Sequence, residues 1–182
     1  LWSGAYGYYY SFDLNENPKV WKEAKDSFKY LGISGNSILE IFRKWISEYQ
    51  GVGEYHFLLI NPDSKAIERQ ILFEKGYELD TKPSSIPESV RADVAKEVEA
   101  VKGLIKGTVK TMENTKPHKE GKMEIRFYDE FIPYWMYMLD NEKIYLGILE
   151  RGKRGTDCPV LVLKKNKKHT TQFDAFYNTW NR

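Results

Sequence analysis

The apolar residues of this chain change period part-way along it, and that change limits the folds open to it. Between Ile38 and Val109 they recur mainly at steps of three and four, the spacing of helices that bury one side. After that come four short, closely spaced apolar runs: Met123–Tyr128 (MEIRFY), Tyr134–Leu139 (YWMYML), Lys143–Leu149 (KIYLGIL) and Val160–Leu163 (VLVL). Each has strand length, and Asp140-Asn141 supplies a turn between the second and third.

The earlier part alternates strand and helix. Asn17-Pro18 marks a helix start, with Pro at the first helical position and Val20, Trp21, Ala24 and Phe28 on one face. Tyr30–Ser34 (YLGIS) is a short buried strand, and Gly35-Asn36 is its turn. Ser37 caps a helix that points Ile38, Phe42, Trp45, Ile46 and Tyr49 inward, and Gly51 and Gly53 end it. Glu54–Ile60 (EYHFLLI) is the next strand. Asn61-Pro62-Asp63-Ser64 turns into a helix with Ile67, Ile71 and Leu72. From Glu88 a long helix carries Val90, Val94, Val98, Val101, Ile105 and Val109, and Lys110–Gly121 is a polar surface connection. The chain closes on a helix with Phe173, Phe176, Tyr177 and Trp180 on one side.

A strand–helix–strand unit forces a crossover and parallel pairing. Closely spaced strands suit antiparallel pairing. The expected fold is therefore α/β, a mixed sheet with helices on both faces. At 182 residues the chain suits one domain. Residues 17–182 form it, and the aromatic segment 1–16, uncharged through Phe12, is an edge strand or packs on a neighbour. The chain starts at Leu1 and not at Met, so an upstream region is expected.

Composition excludes several functions. A net charge of +2 gives no bulk attraction for nucleic acid or anionic lipid. One cysteine, Cys158, allows no internal disulfide, fits a reducing, cytoplasmic setting, and is expected to be inert. The histidines His56, His118 and His169 lie at no metal-ligand spacing, so no metal and no cofactor is expected. His56, in an apolar strand, is expected to be a satisfied core histidine. No apolar run is long enough to span a bilayer. The basic run Lys164–His169 is expected to be a solvated turn.

In such sheets ligands bind beyond the carboxyl ends of the parallel strands. Two turns fall there: Ser34-Gly35-Asn36-Ser37 and Asn61-Pro62-Asp63-Ser64, with Asn61 and Asp63 as its polar groups. Backbone N–H groups at a helix start can hold an anion. Pro133, Trp135 and Tyr137 alternate to one side of a strand, and Arg126 and Tyr128 lie on the strand before. Asp140 is expected to be a structural acid at its turn.

The segment Pro133–Glu150 (PYWMYMLDNEKIYLGILE) resembles the signature of the phospholipase D superfamily. There a His, one residue, a Lys, four residues, an Asp and six residues lead to Gly-Ser-x-Asn. Asp140 and Gly147 match. The His slot is Pro133, the Lys slot Trp135, the Ser slot Ile148 and the Asn slot Glu150. The element order from Trp21 to Trp180 is similar to one half of such an enzyme. LGISGNSIL, FLLINPDS and PYWMYMLD are similar in wording to bacterial regulatory or defence-associated proteins with this module.

In the active family the His attacks phosphorus and the Lys stabilises charge. Proline offers no nucleophile, and tryptophan only an indole N–H. The resemblance thus implies a phospholipase D-like half without catalytic residues: a pseudoenzyme cleft binding a small phosphorylated or nucleotide-like ligand. The expected ligand-binding residues are Ser34, Gly35, Asn36, Ser37, Asn61, Asp63, Arg126, Tyr128, Trp135, Tyr137, Asp140 and Glu150. The family builds its cleft from two halves, so a homodimer is expected, with a fused or separate effector as a further partner. The alternatives are a diverged phosphodiesterase or nuclease using Asp140 and Glu150, and a purely structural dimerisation domain.

Overall fold

The computed structural model describes residues 5–9, 20, 23–48 and 53–180. Among these residues seven strands form one mixed sheet. They are β1 (Ala5–Tyr9), β2 (Ser27–Gly32), β3 (Glu54–Ile60), β4 (Met123–Tyr128), β5 (Tyr134–Leu139), β6 (Lys143–Ile148) and β7 (Val160–Lys164). The helices are α1 (Asn36–Glu48), α2 (Ala66–Glu74), α3 (Glu88–Glu113), α4 (Lys116–Lys119) and α5 (Gln172–Trp180). The strand order is β1-β7-β6-β5-β2-β3-β4.

The sheet is a junction of two halves. From β1 to β2 every neighbouring pair is antiparallel; β2–β3 and β3–β4 are parallel. The expected β2–α1–β3 crossover is present. β4 departs from expectation. It follows the long helical connection α2–α3 and pairs parallel with β3, although β5 is the next strand in sequence. Two parallel strands need a long crossover, and α2–α3 provide one.

Side chains alternate between two faces. Phe28 and Tyr30 of β2, Tyr55, Phe57 and Leu59 of β3, and Tyr137 and Leu139 of β5 meet Ile38, Phe42 and Trp45 of α1. Met112 from the end of α3 joins them. On the other face Leu31, Met136, Met138, Ile144, Leu146 and Leu163 pack on Phe173 and Trp180 of α5. A third cluster, Ile60, Ile67, Ile71, Val94 and Ile105, fixes α2 and α3 beyond the ends of the parallel strands.

Three element boundaries differ from those expected. The strand read as Tyr30–Ser34 begins three residues earlier, so Phe28 belongs to a strand and not to a helix face. It is fully buried between Trp45, Phe57 and Tyr137. The long helix runs on to Glu113, and α4 adds a further helical turn in the segment read as a polar surface connection. Of the helix expected from Asn17-Pro18, Val20 and Glu23 are helical and Val20 and Ala24 are buried, while Asn17, Pro18, Trp21 and Tyr49 lie outside the described residues.

The β5–β6 turn places Asp140 and Asn141 both at φ 54°, the left-handed region that Asp and Asn tolerate best after Gly. Gly147, opposite Trp135 on β6, is a packing requirement of another kind: a Cβ there would overlap the Trp135 indole. Gly147→Ala is therefore expected to cost about 1–3 kcal/mol, the usual cost of overpacking. Chemical denaturation measures this, and the double variant Gly147→Ala, Trp135→Leu should recover part of the loss.

Candidate ligand-binding crevice

The turn after β2 sits at the junction of the two halves, where β2 has an antiparallel neighbour on one side and a parallel one on the other. Gly35 has φ 65°, and a Cβ on it would crowd the Thr108 methyl at 3.2 Å. Helix α1 starts at Asn36, whose N–H donates to the Ser34 hydroxyl at 3.3 Å. Ser34 is therefore the residue that satisfies the first helical N–H, and Ser37 is free for another role. Its hydroxyl and the Gly35 N–H donate to the hydroxyl oxygen of Tyr30, which is 5% exposed. The first turn of α1 contains no acidic residue, so nothing of opposite charge offsets the positive end of its dipole.

One more tyrosine approaches, from β4, while Tyr134 of β5 packs on the other face against Phe176 and meets Thr179 of α5. Tyr128 at the end of β4 lies within electrostatic range of both Tyr30 and Tyr134. Burial pushes the Tyr30 and Tyr128 hydroxyls well up from the usual tyrosine range, so each keeps its proton at neutral pH. Together they offer hydrogen-bond donors and acceptors, without a general base. Thr108 of α3 is wholly buried nearby, and its hydroxyl has no partner among the described residues.

The second expected turn is closed on itself. The Asn61 amide donates to Asp129 at 2.9 Å, and the Asn61 side-chain oxygen accepts the Asp63 N–H at 3.0 Å. Ser64 donates to the Asp129 carbonyl at 2.7 Å and accepts the Ala66 N–H at 3.1 Å. An acid of the chain itself thus sits where an anion was expected.

The other expected site residues are dispersed. Trp135 and Tyr137 lie on the α1-covered face, with ring centroids 5.1 Å apart. Tyr137 is buried, and the Trp135 N–H donates to the Gly155 carbonyl at 2.9 Å, so both serve as packing. Pro133 precedes β5 and is exposed. Glu150 lies in the loop after β6 and pairs with Lys153. Its N–H donates to the Cys158 sulfur at 3.3 Å, and burial pushes that thiol up, in keeping with an inert cysteine. Arg126 points to the opposite face, over the Trp180 ring, and not toward the Gly35-Asn36 turn.

Asp140 is at the far end of the sheet from the crevice. Its carboxylate accepts the N–H groups of Lys25 (3.0 Å), Asp26 (2.8 Å) and Ser27 (3.0 Å), and its own N–H donates to the Ser27 carbonyl. It is a structural acid, as expected, but it caps the start of β2 rather than its own turn.

His56 differs from the core histidine expected. Its side chain is 24% exposed, with Glu124 at 3.1 Å from Nδ1 and Glu54 at 3.4 Å from Nε2. Tyr30 and Lys29 are the residues that sequence reasoning missed. The signal for the first was a polar-tipped ring two residues before a Gly in a buried strand.

No family model and no curated protein matches this chain. A solved structure of TrmBL2, described as an archaeal chromatin protein with a novel mode of DNA binding, is similar at a TM-score of 0.49 and 14% identity. The match covers 96% of this chain and 50% of that one, so this chain spans about half its length. Among the described residues no cluster of His, Cys, Asp or Glu has the arrangement of a metal site, and no helix is long and apolar enough to cross a membrane.

The Asp140 geometry makes a separable prediction. Asp140→Ala should cost about 1.5–3 kcal/mol, the worth of hydrogen bonds to a charged group. Asp140→Asn should cost less, since it keeps one acceptor and tolerates positive φ. Denaturant titration of both variants checks this. A phosphodiesterase turnover abolished by Asp140→Asn at unchanged stability would instead support the enzyme alternative.

Proposed function

We propose that this chain is a non-catalytic binding module, a cytoplasmic sensor that holds a small phosphorylated or nucleotide-like ligand in the crevice at the start of α1. The observation that carries this reading is the convergence there of an acid-free helix start with the hydroxyls of Ser37 and Tyr30, with Tyr128 within electrostatic range. A helix N-terminus favours a phosphate, and protonated hydroxyls suit the polar edges of a sugar or base. Chemistry is unsupported by the same groups. The resembled nucleophile slot is Pro133, the Lys slot is Trp135, and Trp135 is engaged with Gly155. Asp140 and Glu150, the pair in the enzyme alternative, lie at opposite ends of the sheet.

A two-fold dimer belongs to this reading. Because β5 is flanked by β2 and β6, the dimer contact does not run through edge pairing of two copies of β5.

A thermal-shift series with nucleoside mono-, di- and cyclic phosphates tests the reading. A ligand at a hundred times its Kd adds ~2.7 kcal/mol to stability. For a chain of this size that raises Tm by roughly 5–10 °C. Ser37→Ala and Tyr128→Phe should shrink the shift, and the ligand should be recovered unchanged. If no nucleotide moves Tm, the structural dimerisation reading replaces this one; if the ligand is consumed, the enzyme reading does.

A further inference from the structure

The face of the sheet opposite α1 carries a second group of polar residues, where α5 meets the parallel strands. Lys29 is unusual among them. It lies in the middle of β2, between Phe28 and Tyr30, and only 9% of it is exposed. Its ammonium lies 5.6 Å from the Tyr177 ring and 5.7 Å from the Trp180 ring. Among the described residues no carboxylate lies within ion-pair distance of it.

A second cation shares the same indole. The Arg126 guanidinium stands 5.8 Å from the Trp180 ring, and only its Nε approaches a carboxylate, Glu124 at 3.6 Å. The groups facing the two cations are Glu54, His56 and Glu124. Each carboxylate is engaged by an imidazole nitrogen of His56, Glu124 at 3.1 Å and Glu54 at 3.4 Å. In register, Lys29 is opposite His56, His56 opposite Glu124, and Leu58 opposite Arg126, so the two cations flank His56 diagonally across β3. Burial, and then the charge of Arg126, lowers the Lys29 ammonium from its ordinary range. Two neighbouring cations, one of them desolvated and unpaired, repel each other unless an anion joins them.

We propose that Lys29 and Arg126, over the Trp180 ring, form a seat for the phosphate group of a small molecule. Two positive charges match a phosphate monoester, which carries about −1.5 to −2 at neutral pH. The guanidinium fork binds two oxygens side by side, and the ammonium acts as a point charge on the third. This site is on the other face from the crevice and rests on none of its residues.

Calorimetric titration of the full chain with inorganic phosphate, at ionic strength held constant with chloride, tests the seat. The expected result is saturable binding that weakens roughly tenfold or more in Arg126→Gln, as loss of a charge-assisted hydrogen bond implies. Lys29→Met, which keeps the buried stem, should weaken it similarly, and Lys96→Gln, an exposed cation on α3, should leave it unchanged. Arg126 is exposed, so its variant reports even if Lys29→Met fails to fold. Absence of saturable binding, equal loss in Lys96→Gln, full retention in Arg126→Gln, or acetate binding as tightly as phosphate would each overturn the proposal.

Discussion

One aromatic cluster holds the two halves of the sheet together. Tyr137 of β5 stacks on Phe28 of β2, with centroids 6.2 Å apart, and lies 5.5 Å from Tyr30. Phe28 meets Trp45 of α1 at 5.5 Å and Phe57 of β3 at 6.1 Å, and Phe42 meets Phe57 at 5.0 Å. Each such pair contributes about 0.5–1.5 kcal/mol beyond its buried area. The cluster therefore binds an antiparallel strand, two parallel strands and a helix through one set of rings. The β2–β5 hydrogen bonds alone would leave the junction held by four register pairs.

The position of the crevice follows from that junction. Because α1 is clamped over β2, β3 and β5, its first turn is held where the strand directions change. Tyr30 belongs to both arrangements: its ring joins the cluster, and its hydroxyl meets Gly35 and Ser37. The cost is that an aromatic-rich face has no room for charged chemistry. Lys29, which has no ion-pair partner among the described residues, is on the other face, beneath Tyr177 and Trp180 of α5.

Much of this architecture was legible in the residues. Glu54–Ile60 and the start at Glu88 read directly, because alternation and helical spacing were uninterrupted there. The late strands read to within a residue for the same reason. β2 was displaced because Lys29 interrupts its apolar run and Phe28 fits a helical spacing from Val20. The pairing of β4 was not visible, since closeness in sequence to β5 says nothing of a crossover that inserts β2 and β3 between them. That same insertion explains Arg126: its face was counted from the neighbouring run in sequence, while its neighbour in space is β3. The helix start at Ser34–Ser37 was found from turn chemistry, but Tyr30 and Tyr128 come to it from two strands whose order no local pattern contains.

The central claim is that both halves stand or fall as one unit through the aromatic cluster. Native-state amide hydrogen exchange across the chain measures this most directly, because units that open separately do so at different free energies. The account predicts that the amides of β2, β3 and β5 open together, at the free energy of global unfolding. If β2, β3 and β4 exchanged through a lower-energy opening that leaves β5, β6 and β7 protected, the halves would be separate units, and the account would be contradicted.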